Sequence, residues 1–253
     1  MDKSFTFSFE ITPQLNNSIE NMPAQFIQLC RKASFVSIAD HGAKETQLAL
    51  IKKLACLQVN IMPHIASRGI NKTTLTTLLS DYQSLGIKQL LIISGDQQQA
   101  TRNNFDDITV LINTIKQHHP QFKLFVAVNL EGNLTHNITT LQHKINAGAD
   151  AAITQFFFNS NTYSTFMKKC RQQPITMPII PGILPLLNPQ RLQKISANCR
   201  VELPKQLLKR LDTTRSLAYM VNFCQDLLDM GVNHLHFFTI NEWQLLNKIL
   251  TKI

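Results

Sequence analysis

Short hydrophobic runs alternate along the chain with longer stretches in which hydrophobic residues recur every three or four positions. The short runs are rich in Val, Ile and Phe and hold few polar residues, which is typical of parallel strands covered by helices. The pattern predicts eight strands, at residues 5–11, 35–40, 60–66, 89–94, 123–129, 151–157, 177–184 and 234–240. Because no run approaches about 18 apolar residues, no segment is expected to span a membrane.

The stretches between the strands have the spacing of amphipathic helices. Asn71 is expected to cap the amino end of its helix. Gly86, Gly148 and Gly231 follow helical runs directly, where a left-handed C-cap is expected. Helices are predicted at residues 18–32, 45–57, 71–85, 106–117, 137–147, 162–172, 189–197, 214–230 and 242–250, with an extra short helix at 203–211.

Eight strands that alternate with helices predict an α/β fold of the (β/α)8 TIM barrel class. Residues 1–253 are expected to form a single catalytic domain, with the extra short helix before the last helix–strand unit. An open doubly wound sheet is the alternative, but such sheets usually have fewer strands and a Gly-rich first turn. Neither a G-x-G-x-x-G nor a Walker A sequence is present, and each of these motifs marks one class of nucleotide-binding open sheet.

Charge and composition narrow the possible partners. The 253 residues carry a formal net charge of +9, with 44% hydrophobic and 16% charged residues. A basic surface can attract nucleic acid, an anionic membrane or a polyanionic small molecule. Because the basic residues are scattered without interleaved aromatic residues, nucleic-acid binding is not expected. A cleft that collects phosphates or carboxylates accounts for the charge equally well, as does a solvated face.

The cysteines and the chain ends bear on the compartment. Five cysteines, an odd number with no close spacing, indicate neither a disulfide framework nor a zinc site. The first strand begins so early that no signal peptide is expected, and a cytoplasmic location follows. No regulatory domain is expected after Ile253. The sequence leaves open whether the chain forms homo-oligomers.

Polar residues stand at or just after most of the predicted strands. Barrel enzymes carry their chemistry at these carboxyl ends, although turns also recruit Asp, Asn and Ser there. For the set as a whole, function is the favoured interpretation. The residues are Glu10, Asp40, His64, Asp96, Asn129, Glu131, Gln155, Thr239 and Asn241.

Glu10 lies inside the first strand between Phe9 and Ile11. A carboxyl group in such apolar company is partly desolvated, so its pKa should rise and it could donate a proton near neutral pH. The alternative is a Glu that pairs with a Lys or Arg of the barrel.

Asp96 follows Gly95 at the end of the fourth strand. Gly95 would let another group approach the backbone closely, and Asp96 would place a negative charge near a developing cation. Two carboxyl groups in different settings can divide the work, one protonated and one ionised. A metal site built from Asp40, His41 and His64 is the rival interpretation, although no fixed spacing supports it.

Eight sequence blocks resemble the methylenetetrahydrofolate reductase family, and they occur in the family's order over the whole chain. The Thr-Gln-Phe-Phe-Phe and Pro-Gly-Ile-Leu-Pro blocks are the most specific. A match of this kind is stronger for fold and family than for exact activity. The blocks are residues 7–13, 35–38, 63–65, 95–96, 146–150, 153–158, 180–185 and 236–241.

The resemblance implies an FAD enzyme that is reduced by NADH or NADPH and passes a hydride to 5,10-methylenetetrahydrofolate, giving 5-methyltetrahydrofolate. It implies that Glu10 protonates the folate nitrogen as the five-membered ring opens, and that Asp96 stabilises the resulting cation. Gln155 would contact the substrate or the nicotinamide. The flavin contacts that the resemblance implies are His64, Gly95, Asp96, Asn129 and Lys144.

Several positions depart from the family's pattern on both sides of the expected site. On the flavin side the departures are Ser94, Asn129, Asn133, Asn137, Thr140 and His143. On the folate side they are Ile195, Arg191 and Glu242, where Glu242 replaces an Arg that pairs with the folate's glutamate. The alternatives are therefore a reductase of the same substrate without flavin, and a non-catalytic barrel that binds folate or a protein partner.

Arg191 is expected to bind substrate by taking over the recognition of the folate tail that is lost at Glu242. Carboxylates need a cation at the cleft to offset their desolvation. The alternative is that Arg191 and Glu242 pair with each other on the surface.

Overall fold

The computed structural model describes residues 5–13, 23–40, 44–95, 105–185, 188–199, 201–204, 207 and 213–253. Eight parallel strands close into one barrel in chain order, which confirms the predicted TIM barrel. The strands are β1 (Thr6–Ile11), β2 (Val36–Ile38), β3 (Ile61–Ala66), β4 (Gln89–Ile93), β5 (Lys123–Val128), β6 (Ala151–Phe156), β7 (Ile179–Ile183) and β8 (His234–Phe238).

Helices follow the strands around the outside of the barrel. Within the described ranges they are α1 (Ala24–Lys32), α2 (Lys44–Cys56), α3 (Lys72–Ser84), α4 (Ile108–His118), α5 (Leu134–Asn146), α6 (Ser160–Cys170), α7 (Pro189–Cys199), α8 (Thr213–Asp229) and α9 (Trp243–Leu250). Most of the extra helix predicted at residues 203–211 lies outside the described residues.

β1 closes the barrel by pairing with both β2 and β8. In these registers Glu10 lies opposite Ser37 on β2 and opposite Phe238 on β8. The side chain of Thr239 donates a hydrogen bond of 2.6 Å to the backbone oxygen of Glu10. The carboxyl ends of β1 and β8 are therefore fixed to each other where the candidate acid stands.

Two apolar layers follow from the alternation of side chains along the strands. Phe9 and Ile11 belong to the large core beneath the helices, where Phe9 contacts Phe26 of α1 edge to face. Side chains on the opposite face fill the barrel. That inner cluster consists of Phe35, Met62, Leu91, Phe125, Ala151, Ile153 and Ile180.

The predicted helix caps are confirmed. The side chain of Asn71 accepts a hydrogen bond of 2.8 Å from the backbone N–H of Thr74. Gly86, Gly148 and Gly231 all have positive φ, at 72°, 111° and 90°. At Gly148 an added Cβ would also lie 2.7 Å from Cγ of Lys116, so this turn excludes larger residues for two reasons.

Candidate active site at the carboxyl ends of the strands

A cavity of about 320 Å³ opens at the carboxyl ends of the strands. It brings together four residues that the sequence predicted separately, Glu10, His64, Asn129 and Gln155. The remaining wall is almost entirely apolar, with Thr154 the one further polar member. It consists of Leu91, Ile93, Ala127, Val128, Ile153, Thr154 and Phe238.

Glu10 has the environment that the sequence predicted. Its side chain is 17% exposed, and burial raises the pKa of its carboxyl group to about 7. In the described part of the chain it has no Lys or Arg partner, and the nearest basic atom is Nε2 of His64, 3.7 Å from Oε2. Glu10 can therefore hold a proton near neutral pH and release it to a bound molecule.

A series of hydrogen bonds runs through the barrel below Glu10. Oγ1 of Thr6 lies 2.7 Å from Nδ1 of His234, whose Nε2 lies 2.9 Å from Oγ of Ser8. Oγ of Ser8 also lies 2.8 Å from Nδ1 of His236. Sequence analysis missed these residues, although their spacing of two along β1 and β8 places them all on the inner face.

Both histidines of this series are neutral at pH 7. Burial, with Lys123 as a smaller influence, lowers the pKa of His234 to about 4. Burial also holds the pKa of His236 well below its usual range, with smaller contributions from His234 and His64. Because neither histidine of β8 carries a positive charge, neither stabilises the ionised form of Glu10. Desolvation alone therefore sets the pKa of Glu10.

His64 is held in place by a buried side chain that the sequence did not single out. Nε2 of Gln47 donates to the backbone oxygens of Ile38 and His64, at 3.0 and 3.1 Å. The hydroxyl of Tyr82 donates to Oε1 of Gln47 at 3.1 Å. This bridge ties the carboxyl ends of β2 and β3 together, and it fixes the backbone that carries His64.

The side-chain oxygens of Asn129 and Gln155 each accept a hydrogen bond from the backbone of a nearby residue. Oδ1 of Asn129 accepts a hydrogen bond of 3.0 Å from the backbone of Glu131. Oε1 of Gln155 accepts one of 3.0 Å from the backbone of Phe156, at the irregular pairing between β6 and β7. Their amide NH₂ groups make no hydrogen bond with another described residue. Both side chains can therefore still donate to a bound molecule.

Gly95 lies where β4 meets the loop that follows β3. Its φ is +75°, and an added Cβ would lie 2.9 Å from Cβ of Ala66 and 3.2 Å from the oxygen of Arg68. The guanidinium of Arg68 donates to the oxygen of Gly95 at 3.3 Å. The close approach predicted for Gly95 is thus made by the chain itself. Asp96 lies outside the described residues.

Lys144 does not line the same cavity. Its Nζ donates to the backbone oxygen of Ala127 at 2.8 Å, and burial lowers the pKa of its ammonium group. It lines a separate groove of about 460 Å³ between α4 and α5. A ligand that contacts both Glu10 and Lys144 would have to extend across the end of β5.

Two amides at positions that depart from the family's pattern are used within the loop after β5. Oδ1 of Asn133 caps α5 by accepting from the backbone of His136 at 3.1 Å. Because this cap directly precedes Leu134, α5 begins three residues earlier than the sequence predicted. The amide of Asn137 donates to the oxygen of Glu131 at 2.8 Å. These two side chains organise the loop after β5.

Arg191 and Glu242 form an ion pair at the surface. Nη1 of Arg191 lies 2.6 Å from Oε1 of Glu242, and the two side chains are 41% and 48% exposed. Nη2 also donates to the oxygen of Ile240 at 3.4 Å. The surface ion pair that the sequence offered as the alternative is therefore present. It joins the start of α7 to the segment that follows β8.

The described residues contain no group of three His, Cys, Asp or Glu side chains placed to hold a metal ion. Oδ2 of Asp40 accepts a hydrogen bond of 3.3 Å from the backbone of Ala66. His41 lies outside the described residues.

None of the described helices has both the length and the apolarity that crossing a membrane requires.

Comparison with known proteins places this geometry in context. A sequence model of the methylenetetrahydrofolate reductase family matches residues 1–253. The chain is 27% identical over 261 residues to 5,10-methylenetetrahydrofolate reductase of Buchnera aphidicola from Schizaphis graminum, covering 96% of this chain and 89% of that protein. It is 26% identical over 259 residues to the Escherichia coli K12 protein of the same name, covering 96% and 87%.

Solved structures share the fold at low sequence identity. A 2,3-dimethylmalate lyase matches 98% of this chain and 79% of its own, with a TM-score of 0.58 and 9% identity. An oxaloacetate acetylhydrolase matches with a TM-score of 0.57 and 9% identity, covering 98% and 80%. At this identity the likeness extends to the barrel alone.

Proposed function

The chain belongs to the methylenetetrahydrofolate reductase family, and from that premise we propose that it reduces 5,10-methylenetetrahydrofolate to 5-methyltetrahydrofolate. The observation that carries the proposal is Glu10, a carboxyl group with a pKa of about 7. It lines the apolar cavity at the carboxyl ends of the strands, which is the mouth of the barrel. Ring opening of the folate needs a proton donor at neutral pH. The relatives that match most of this chain are named for the same reaction.

The proton moves from Glu10 to the ring nitrogen of the folate. With a pKa of about 7, a large fraction of the carboxyl groups is protonated at neutral pH, whereas an ordinary Glu would be almost fully ionised. As one C–N bond of the bridging carbon breaks, the nitrogen that is released takes this proton. The bridging carbon stays bound to the other nitrogen and forms an iminium with it. The neutral histidines of β8 place no competing acid beside Glu10.

The other site residues orient the substrate and stabilise charge in this proposal. Gln155 and Asn129 border the cavity and keep amide N–H donors for ligand atoms. Asp96, next to Gly95 at the end of β4, supplies the negative charge that favours the iminium cation. The apolar wall excludes water, which would otherwise attack that cation.

The residues of the mouth suit the ring system of FAD. A flat ring can pack against the apolar wall of the cavity while His64, Asn129 and Gln155 meet its polar edges. Lys144 in the neighbouring groove would meet the phosphate side. When bound, FAD accepts a hydride from NADH or NADPH and passes it to the folate.

A second candidate is a reductase that passes hydride from the nicotinamide directly to the folate. It is favoured by Asn133 and Asn137, whose amides bind the chain's own backbone where the family uses ligand contacts. Both candidates keep Glu10 as the acid.

A visible spectrum and a product assay separate the possibilities. A yellow protein that releases flavin on denaturation and forms 5-methyltetrahydrofolate with NADH or NADPH supports the first candidate. A colourless protein that forms the same product supports the second. A protein that forms no product with either nicotinamide, with or without added FAD, contradicts both and leaves the non-catalytic barrel.

For its location we propose the cytoplasm. All five cysteines are free thiols, four of them buried or partly buried and one exposed. Reduced thiols of this kind are usual in reducing compartments.

A further inference from the structure

A second and larger cavity, of about 770 Å³, lies at the opposite end of the barrel. Six of its lining residues are the first residues of strands β1, β4, β5, β6, β7 and β8, namely Thr6, Gln89, Lys123, Ala151, Ile179 and His234. It is therefore an amino-terminal cavity, separated from the mouth by the packed interior of the barrel. Its volume falls in the range of sites for small organic ligands, roughly 300–1,000 Å³.

The amino-terminal cavity is lined by cations without acidic residues. Lys123, Lys168 and Arg171 border it, and none of its lining residues is Asp or Glu. In the described part of the chain no carboxylate lies within ion-pair distance of these three side chains, since the pairs involve other residues. An anion in the cavity would meet positive charge from both β5 and the carboxyl end of α6.

The inner wall of the amino-terminal cavity is aromatic. The rings of Phe35 and Phe125 meet edge to face at 5.5 Å, and the ring of His234 stacks on Phe35 at 5.6 Å. Nζ of Lys123 lies 5.2 Å from the centre of the Phe125 ring. Both phenylalanine rings are almost fully buried, so they form an apolar floor that a ligand would meet only at its edge. The nearby cation can hold a negative group beside that floor.

Methionines form much of the remaining apolar border. Met167, Met177 and Met230 line the cavity, and Met230 is 44% exposed although it is large and apolar. Methionine side chains adapt to ligands of different shape. An exposed apolar side chain beside cations that have no ion-pair partner within the described ranges suits a molecule that is both apolar and anionic.

The helix dipole accounts for only part of this charge. Lys168 and Arg171 stand at the carboxyl end of α6, where cations are favoured. Lys123 begins a strand and has no such reason to be there. An interaction with the helix dipole occupies no N–H donor, so Lys168 and Arg171 can still donate to an anion.

We propose that the amino-terminal cavity is a second binding site of this protein and that it takes a small organic anion, with a flat apolar body and a carboxylate or phosphate group. The site is independent of the reaction at the mouth. Its lining differs from that of the mouth, because it carries cations and no carboxyl group, whereas the mouth is lined by the carboxyl group of Glu10.

Fluorescent probes test the proposal with a matched pair of variants. The probes are 1-anilinonaphthalene-8-sulfonate and its neutral analogue N-phenyl-1-naphthylamine. Lys168→Glu reverses a charge at the cavity, whereas Lys169→Glu makes the same change on the next residue, which borders a different groove. We expect Lys168→Glu to weaken binding of the sulfonate about tenfold at low salt, and Lys169→Glu to change it far less.

Three results would overturn the proposal. Equal effects of the two variants, or equal effects of Lys168→Glu on both probes, would overturn it. Glu10→Gln should leave the affinity for the sulfonate unchanged, whereas a tighter affinity would place the probe in the mouth and would overturn the assignment of this binding to the amino-terminal cavity. Circular dichroism confirms that each variant is folded.

Displacement of the sulfonate distinguishes the two kinds of anion. Salicylate supplies an aromatic carboxylate, and adenosine 5′-monophosphate supplies an aromatic phosphate, with adenosine as its neutral control. Displacement by either anion, but not by adenosine, supports the proposal and assigns the group. Displacement by neither anion overturns it.

Discussion

Glu10 shows how one residue acquires its chemistry from its neighbours. The alternation of β1 turns Phe9 and Ile11 toward the helices and leaves Glu10 at the cavity of the mouth. The sequence predicted a raised pKa from those two neighbours, and the direction is confirmed. The reason differs, because both neighbours face the helices and the apolar wall of the cavity desolvates the carboxyl group. The sequence could not predict that Ser8, His234 and His236 would satisfy one another inside the barrel, because that requires the register of β1 with β8.

The raised pKa of Glu10 predicts how stability depends on pH. The folded-state pKa of about 7 exceeds the ordinary 4.5, so the folded protein holds a proton that the unfolded chain loses first. The free energy of unfolding should therefore fall as pH rises from about 4.5 to about 7 and stay level above that, by on the order of 3 kcal/mol in all.

The variant Glu10→Gln checks this dependence by denaturant unfolding across the same pH range. It should remove most of the slope and leave the protein more stable than wild type above pH 7. Glu242→Gln, at an exposed carboxylate, is the control and should keep the slope. An unchanged slope in Glu10→Gln would mean that Glu10 titrates normally.

Asp96→Asn should slow the folate half-reaction more than the oxidation of the nicotinamide. The reason is that the negative charge matters most where a cation forms on the substrate. Stopped-flow measurement of the two half-reactions checks the prediction. Equal losses in both would make Asp96 a general binding residue.

At the scale of elements, periodicity predicted where strands and helices lie, but not how their ends are used. All eight strands were placed correctly, because runs of Val, Ile and Phe mark parallel strands clearly. The start of α5 was placed too late, since the cap at Asn133 depends on loop geometry. Lys144 was grouped with the mouth by resemblance, whereas the structure places it in the groove beside α4.

Asn133→Ala should lower the free energy of unfolding by roughly 0.5–2 kcal/mol, because it removes the cap of α5. If the amide is structural, flavin content should not change. His136→Ala, on an exposed side chain in the same turn, serves as the control. Loss of flavin without loss of stability would instead make Asn133 a ligand contact.

The pair between Arg191 and Glu242 joins the start of α7 to the segment after β8, and at this exposure it contributes only about 0–1 kcal/mol to stability. If Arg191 also holds the folate tail, Arg191→Ala should weaken folate binding and Glu242→Arg should strengthen it. Both effects should fade at high salt. No change in affinity for either variant would mean that the tail is held elsewhere.

At the scale of the whole molecule, the barrel separates two environments. Its carboxyl end holds a desolvated carboxyl group in an apolar cavity, and its amino end holds cations that form no ion pair with any described residue. The sequence predicted the first end, because strand ends are where barrels place their chemistry. It did not predict the second, because the strand starts and the end of α6 come together only in the closed barrel.

The most direct test of the account is the rate of 5-methyltetrahydrofolate formation at pH 7 by the wild-type protein and by Glu10→Gln, measured side by side with NADH and with NADPH. The account predicts product from the wild type and a rate lower by about 10²–10⁴-fold in the variant, because the amide cannot donate the proton. Product formation within a few-fold of wild type by Glu10→Gln would contradict the assignment of Glu10 as the acid.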